Sequence, residues 1–329
     1  MRYRKKPSIF EVNLLFLLLG ISLLTIGGFV QTRELFSGLL ITEYILILVP
    51  CLLFLKIKRV PIKETLRLNK IGLKQIILAI VITIFTYPLA VFLQAIFIGI
   101  LNIFKDMMPT TVPMPNDEIQ YLISFFIIAI TPGICEEIMF RGVIMDAYSR
   151  LGYRKSIIIS ALLFGIFHFN LMNFVGPTIL GVVFGIMVYK TNSIYSSIIA
   201  HTTNNGIALT IGFFLNKYQE EIDGILMEPA MVSETASIGI GSIILPFIFL
   251  VCCFLMVKIL LGKLEPVNKE KEVENNFLFD SPVDIESAIE DLYNYEDASP
   301  KDRRLGKKYL PVVIVIFIFV LINWLYFFL

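Results

Sequence analysis

The sequence predicts an all-α protein, a polytopic bundle of about eight or nine membrane-spanning helices. Three observations carry that prediction. Hydrophobic residues make up 57% of the 329-residue chain and charged residues 17%, with a mean hydropathy of +0.79, whereas soluble domains carry roughly 25% charged residues. The apolar residues also run in blocks of about 20, the length an α-helix needs to cross a hydrocarbon core of about 30 Å. Finally, lysine and arginine collect in alternate connections, the pattern that sets membrane topology. The net charge of +1 says little by itself, and the absence of an extended basic stripe argues against a nucleic-acid partner.

Apolar blocks place spans near 13–31, 39–57, 74–103, 119–149, 155–169, 173–190, 194–215, 238–262 and 309–329. The first follows Arg2, Arg4, Lys5 and Lys6 but is too long for a signal h-region and lacks a small-x-small site before Gln31, so it reads as an uncleaved span. The fifth and sixth are short and separated only by Asn170 to Met172. Basic residues before the first span, between Lys56 and Lys74, at Arg150, Arg154 and Lys155, and at Lys190 fall on one side; 104–118 and 216–237 lean acidic. An integral protein of the cell membrane with a cytoplasmic N-terminus follows, and nine crossings put the C-terminus outside.

The expected organisation is N-terminal spans with an interfacial helix around Val60–Lys74 (1–118), a polar-centred core (119–215), an eighth span with its preceding external loop (216–262), a polar cytoplasmic tether (263–308) and a last span (309–329). Within the tether, Ile285, Ala288, Ile289 and Leu292 repeat at helical spacing. The four cysteines, Cys51, Cys135, Cys252 and Cys253, lie in apolar runs and read as structural thiols.

Chemistry is concentrated in the core. The only two histidines, His168 and His201, and the pair Glu136-Glu137 all lie in apolar runs. Placing an ionisable group there costs about 2.5 to 3.5 kcal/mol on the lower scale, so such groups are read first as functional. On a helix Glu136 and Glu137 point about 100° apart, while Glu137 and Arg141 are neighbours at i,i+4 and can pair, leaving Glu136 to face a cavity. The same spacing puts Phe164 with His168 and His201 with Asn205. Counted from the nearest basic loop, Glu136, His168 and His201 lie at depths of roughly 21, 20 and 16 Å.

A buried carboxylate backed by an imidazole can deprotonate water, and an imidazole beside a carboxamide can hydrogen-bond a developing oxyanion. Glu136, His168, His201 and Asn205 are therefore the candidate catalytic set, supported by Glu137, Arg141 and Phe164. The reading is hydrolysis of an amide or ester. The residues equally allow a divalent metal such as zinc held by Glu136, His168 and His201. The HExxH arrangement, the Gly-x-Gly-Asp pattern and the Gly-x-Ser-x-Gly elbow are all missing from the sequence. A different class of reading is a scaffold or transporter using the same polar cluster for protons or ions, although no inverted repeat is evident.

The segments Glu136-Glu137-Ile138-Met139-Phe140-Arg141-Gly142, Phe164-x-x-x-His168 and His201-x-x-x-Asn205, in that order on separate spans, resemble the signature motifs of the CPBP (Abi) family of CAAX prenyl endopeptidases and bacterial relatives. The resemblance covers roughly 119–215 and no motif position departs from the pattern. It implies an intramembrane endopeptidase acting on membrane-embedded or lipid-anchored peptides or proteins. In it Glu136 and His168 activate water, His201 and Asn205 form the oxyanion hole, and Glu137 and Arg141 support them. The family is often labelled metalloprotease, and a metal-free glutamate mechanism also fits it.

Overall fold

The computed structural model describes residues 6–105, 114–219, 240–267 and 307–328. Most of the expected external loop and tether, including the Ile285–Leu292 pattern, lies outside the described residues. Among those described, no strand occurs and the long helices, numbered in chain order, are α1 (Ile9–Arg33), α2 (Leu35–Ile57), α3 (Leu73–Asn102), α4 (Glu118–Leu151), α5 (Tyr153–Phe167), α6 (Val175–Thr191), α7 (Tyr195–Lys217), α8 (Ile240–Gly262) and α9 (Leu310–Phe328). Eight of them are long and apolar enough to cross a membrane; α5 is the exception.

Eight spans by length lie within the eight or nine expected. α5 has 15 residues, about 22 Å of helix, short of a 30 Å core. It stops because Phe169 takes a left-handed conformation (φ 50°) and Asn170 is extended, turning the chain through a short 3₁₀ segment, Leu171–Asn173, into α6. Irregular backbone at membrane depth survives only where protein satisfies it. Here α9 and α3 do so. Asn323 Oδ1 accepts from the Leu171 N–H at 2.6 Å, its Nδ2 donates to the Phe169 carbonyl, and Gln94 bridges the Met172 carbonyl and the Gly176 N–H at 2.7 Å each.

The interfacial helix expected over Val60–Lys74 shrinks to one turn, Ile62–Thr65. Arg67 turns left-handed (φ 49°) just after it and the chain runs to Gly72, the N-cap of α3. The stretch is tied down elsewhere: the Ile194 N–H donates to the Arg67 carbonyl, Asn69 Nδ2 to the Asn192 carbonyl at 2.6 Å and the Ser193 hydroxyl to the Asn69 carbonyl.

Such contacts sort the connections into two ends of the bundle. At one end lie Lys6 with Ser149 and Arg150, Asn69 with Asn192, Lys74 with Glu265, and Asn13 with the Lys308 carbonyl. At the other lie Lys217 with Glu118, Asn216 with the Pro115 carbonyl, and Lys105 with the Tyr326 carbonyl. The loops that sequence grouped as basic therefore share one end. The turn between α1 and α2 belongs to the opposite end and is capped by Glu34, whose carboxylate is held below its usual range by hydrogen bonds from Ser37, hydroxyl and N–H, and from the Phe36 N–H.

α4 is the element around which the site is built. Pro132 lies in its first half, and a proline has no N–H for the carbonyl four residues back. Around it the backbone widens into π-helical turns at Phe125–Ile130 and Ile138–Ile144, on either side of the straight segment Thr131–Glu137. α2 carries a matching π-helical segment, Ile41–Leu48. Widened turns of this kind cluster at functional sites because they re-aim side chains. The main apolar core joins α1, α2, α4, α5 and α9 through Phe16, Leu55, Met139, Phe140, Tyr148, Phe164, Phe167 and Phe319. A second packs α3 against α6 and α8 through Ile82, Phe184, Met187 and Val257.

Candidate active site

Close backbone approach brings α4 to α7. A Cβ on Gly133 would lie 2.5 Å from Thr202 Oγ1 and 3.3 Å from the Ile198 carbonyl, so only glycine lets the helices meet one turn before the glutamates. Beside that contact Glu137 is fully buried and Arg141 is 1% exposed. Arg141 Nη1 donates to Glu137 Oε1 at 2.8 Å, the pairing expected from their spacing. The guanidinium is sandwiched by aromatic faces, 4.6 Å from the Phe164 centroid and 5.5 Å from that of Phe184. Cation–π contact gains strength when it is dry. It also gives Phe184 of α6 a place in the site that its letter alone did not signal.

His201 joins the two glutamates. Its Nδ1 lies 2.9 Å from Glu137 Oε1, and since a carboxylate only accepts, Nδ1 carries the proton. Nε2 is thereby turned toward Glu136 Oε2, 3.7 Å away, a gap that suits an intervening water. Glu136 keeps 15% of its side chain exposed, and so remains the carboxylate of the pair that faces open space. His168 caps the end of α5 with Nδ1 3.0 Å from the Phe164 carbonyl. A carbonyl also only accepts, which leaves its Nε2 as the free lone pair. The two imidazoles meet Phe164 edge to face, at 5.3 Å for His168 and 5.7 Å for His201. Phe164 is thus the ring against which both imidazoles and Arg141 are set.

Asn205 stands one turn beyond His201, and its carboxamide is already engaged. Nδ2 donates to the Ile128 carbonyl at 3.0 Å, the carbonyl that Pro132 cannot serve, and Oδ1 accepts from Asn204 Nδ2 at 3.0 Å. These two bonds settle which end of the amide is nitrogen and leave one N–H unused.

The structure therefore gathers Glu136, Glu137, Arg141, Phe164, His168 and His201, and places Asn205 at the edge, facing the proline break. As a ligand set Glu136, His168 and His201 fit a metal poorly. No group of three or more His, Cys, Asp or Glu side chains among the described residues is disposed to hold an ion, although both histidines have Nδ1 bonded to an acceptor, as metal-ligating histidines do. No step below is routed through a metal.

Sequence reading missed three polar residues. Glu43 is a buried carboxylate in α2, 6% exposed; Asn323 and Gln94 hold the turn after His168. Each interrupts an apolar run, the same signal that singled out Glu136, so all three were detectable.

Residues 118–207 match the family described as Type II CAAX prenyl endopeptidase Rce1-like, in agreement with the motif resemblance. No curated protein and no solved structure was found to match the chain.

Proposed function

With that match as premise, we propose that the protein is a CAAX-type intramembrane endopeptidase that hydrolyses a peptide bond in membrane-embedded or lipid-anchored substrates, with Glu136 as the base. The observation that carries the reading is the chain Glu136, His201, Glu137, Arg141, in which one carboxylate is neutralised at 2.8 Å and the other is left facing open space.

Water held between Glu136 and His168 loses its proton to Glu136 as it attacks the substrate carbonyl. His168 Nε2, free and fixed by the bond at Nδ1, accepts the second hydrogen bond of that water and orients it. The developing oxyanion takes hydrogen bonds from the free N–H of Asn205 and from the ring of His201. Glu136 then returns the proton to the leaving amine.

The test uses purified protein in proteoliposomes with a fluorogenic farnesylated peptide ending in a CAAX sequence and a panel of transmembrane reporter peptides. Glu136→Ala and His168→Ala should each lower cleavage by about 100-fold or more. Cleavage that survives both substitutions removes the proposal. The bundle end carrying Lys6, Lys58–Lys74, Arg150–Lys155 and Lys190 is proposed as cytoplasmic, with the plasma membrane as the site of action.

A further inference from the structure

Glu43 is the carboxylate that the proposed reaction leaves unused. It sits in the π-helical segment Ile41–Leu48 of α2, packed on the Thr131–Glu137 segment of α4. Tyr44 and Thr131 set the register between them, their hydroxyl oxygens 3.4 Å apart. Glu43 is only 6% exposed and its Oε2 has no hydrogen-bond partner. Its carboxylate lies within electrostatic reach of both Glu136 and Cys135.

An acid placed there for structure would be hydrogen-bonded, since an unsatisfied buried oxygen costs about 1–3 kcal/mol. The ionisable groups on the elements packed against Ile41–Leu48 are Cys135, Glu136, Glu137 and Arg141 on α4, Tyr44, Cys51 and Lys56 on α2, and Glu11 on α1; the Leu23–Gly27 segment of α1 and the Leu35–Leu40 segment of α2 contribute none. Lys56 is exposed at the end of α2. Arg141 is committed to Glu137 and to two aromatic rings, so an ionised Glu43 would stand uncompensated near Glu136. In a dry interior such a group is held as the neutral acid.

We infer that Glu43 is a positioning residue of this site, a neutral carboxyl group whose O–H is directed, through water, toward Glu136 and holds the nucleophilic water at the base. The inference rests on the endopeptidase reading for its kinetic consequence but not for the state of Glu43 itself. A neutral acid acting as a donor can be imitated by an amide and not by a hydrocarbon.

The experiment compares Glu43→Gln and Glu43→Leu with wild type in proteoliposomes on the farnesylated reporter, with Glu136→Gln as control, and records infrared spectra of all four. Glu43→Gln should keep kcat within about threefold of wild type, and Glu43→Leu should lower it by about tenfold or more with KM unchanged. The C=O stretch of a protonated carboxyl should be present in wild type, absent from Glu43→Gln and retained in Glu136→Gln. Wild-type kcat in Glu43→Leu, equal loss in folded Gln and Leu variants, or the lack of a protonated band assignable to Glu43 overturns the inference. Full cleavage by Glu136→Gln, or no cleavage by wild type, defeats the endopeptidase reading instead, and the infrared comparison still decides the state of Glu43.

Discussion

Arg141 is among the largest fully buried side chains, and its ion pair and ring contacts all belong to the site. Its Nε and Nη2 have no hydrogen-bond partner, so the single bond to Glu137 and the two aromatic faces carry the compensation. Removing one partner of a buried ion pair typically costs about 3–5 kcal/mol, because the other charge is left behind. Arg141→Met should therefore lower the thermal midpoint of detergent-solubilised protein sharply, while Glu137→Gln combined with Arg141→Met should recover part of that loss. A midpoint for Arg141→Met equal to wild type would mean that Glu137 is already neutral. The pair also orients the His201 ring, because Nδ1–H is what the Glu137 carboxylate demands. In the proposed reaction Glu136 acts as the base without a metal, and reporter cleavage is expected to be unchanged after thorough chelation. Activity lost to chelator and regained with zinc would show that the ligands gather in a rearranged site.

At the scale of elements, the site depends on places where helices are broken. Pro132 frees the Ile128 carbonyl, and Asn205 reaches across from α7 to occupy it. Pro132→Ala restores an N–H that competes for that carbonyl, which should stabilise α4 and release Asn205. The expected outcome is a higher thermal midpoint together with lower kcat; a parallel rise in both would separate Asn205 from catalysis. The second break follows His168, where α5 ends about 22 Å from its start. Asn323 on α9 accepts the Leu171 N–H and donates to the Phe169 and Phe319 carbonyls. Asn323→Leu leaves that N–H unpaired, a cost of about 1–3 kcal/mol. It should reduce both thermal stability and reporter cleavage, and hydrogen exchange should quicken in residues 168–174. Protection unchanged there would show that Gln94 alone suffices. α9, separated from the core by a long polar stretch of sequence, thereby has a structural task inside it.

At the scale of the whole molecule, the bundle gathers its connections at two ends. Lys6, Arg150, Lys74, Glu265 and Lys308 share one end, and Glu118, Lys217 and Lys105 the other. With the basic end in the cytosol, Asn116→Cys should react with a membrane-impermeant maleimide on intact cells, and Lys70→Cys only after permeabilisation. The reverse pattern would invert the assigned orientation. The short α5 does not upset this alternation, because α5 and α6 form a hairpin that leaves the basic end at Gly152 (φ 87°) and returns to it near Lys190.

The helical class, the apolar blocks and the grouping of basic loops were legible because each depends on local composition or on a period along one helix. The Glu137–Arg141 pair was legible for the same reason, being one turn apart on a single segment. Which imidazole stands beside which glutamate was not. Three-dimensional packing sets His201 against both carboxylates and ties His168 Nδ1 to its own helix end. The engagement of Asn205 by a proline-vacated carbonyl, the clamp of Asn323 on the His168 turn and the burial of Glu43 beside Glu136 are contacts between segments 77, 152 or more than 80 positions apart. Hydrophobic length and charge act along the chain and can be read there; hydrogen bonds in a dry interior are made wherever a broken helix leaves a group unpaired, and only the folded arrangement determines which side chain arrives to meet it.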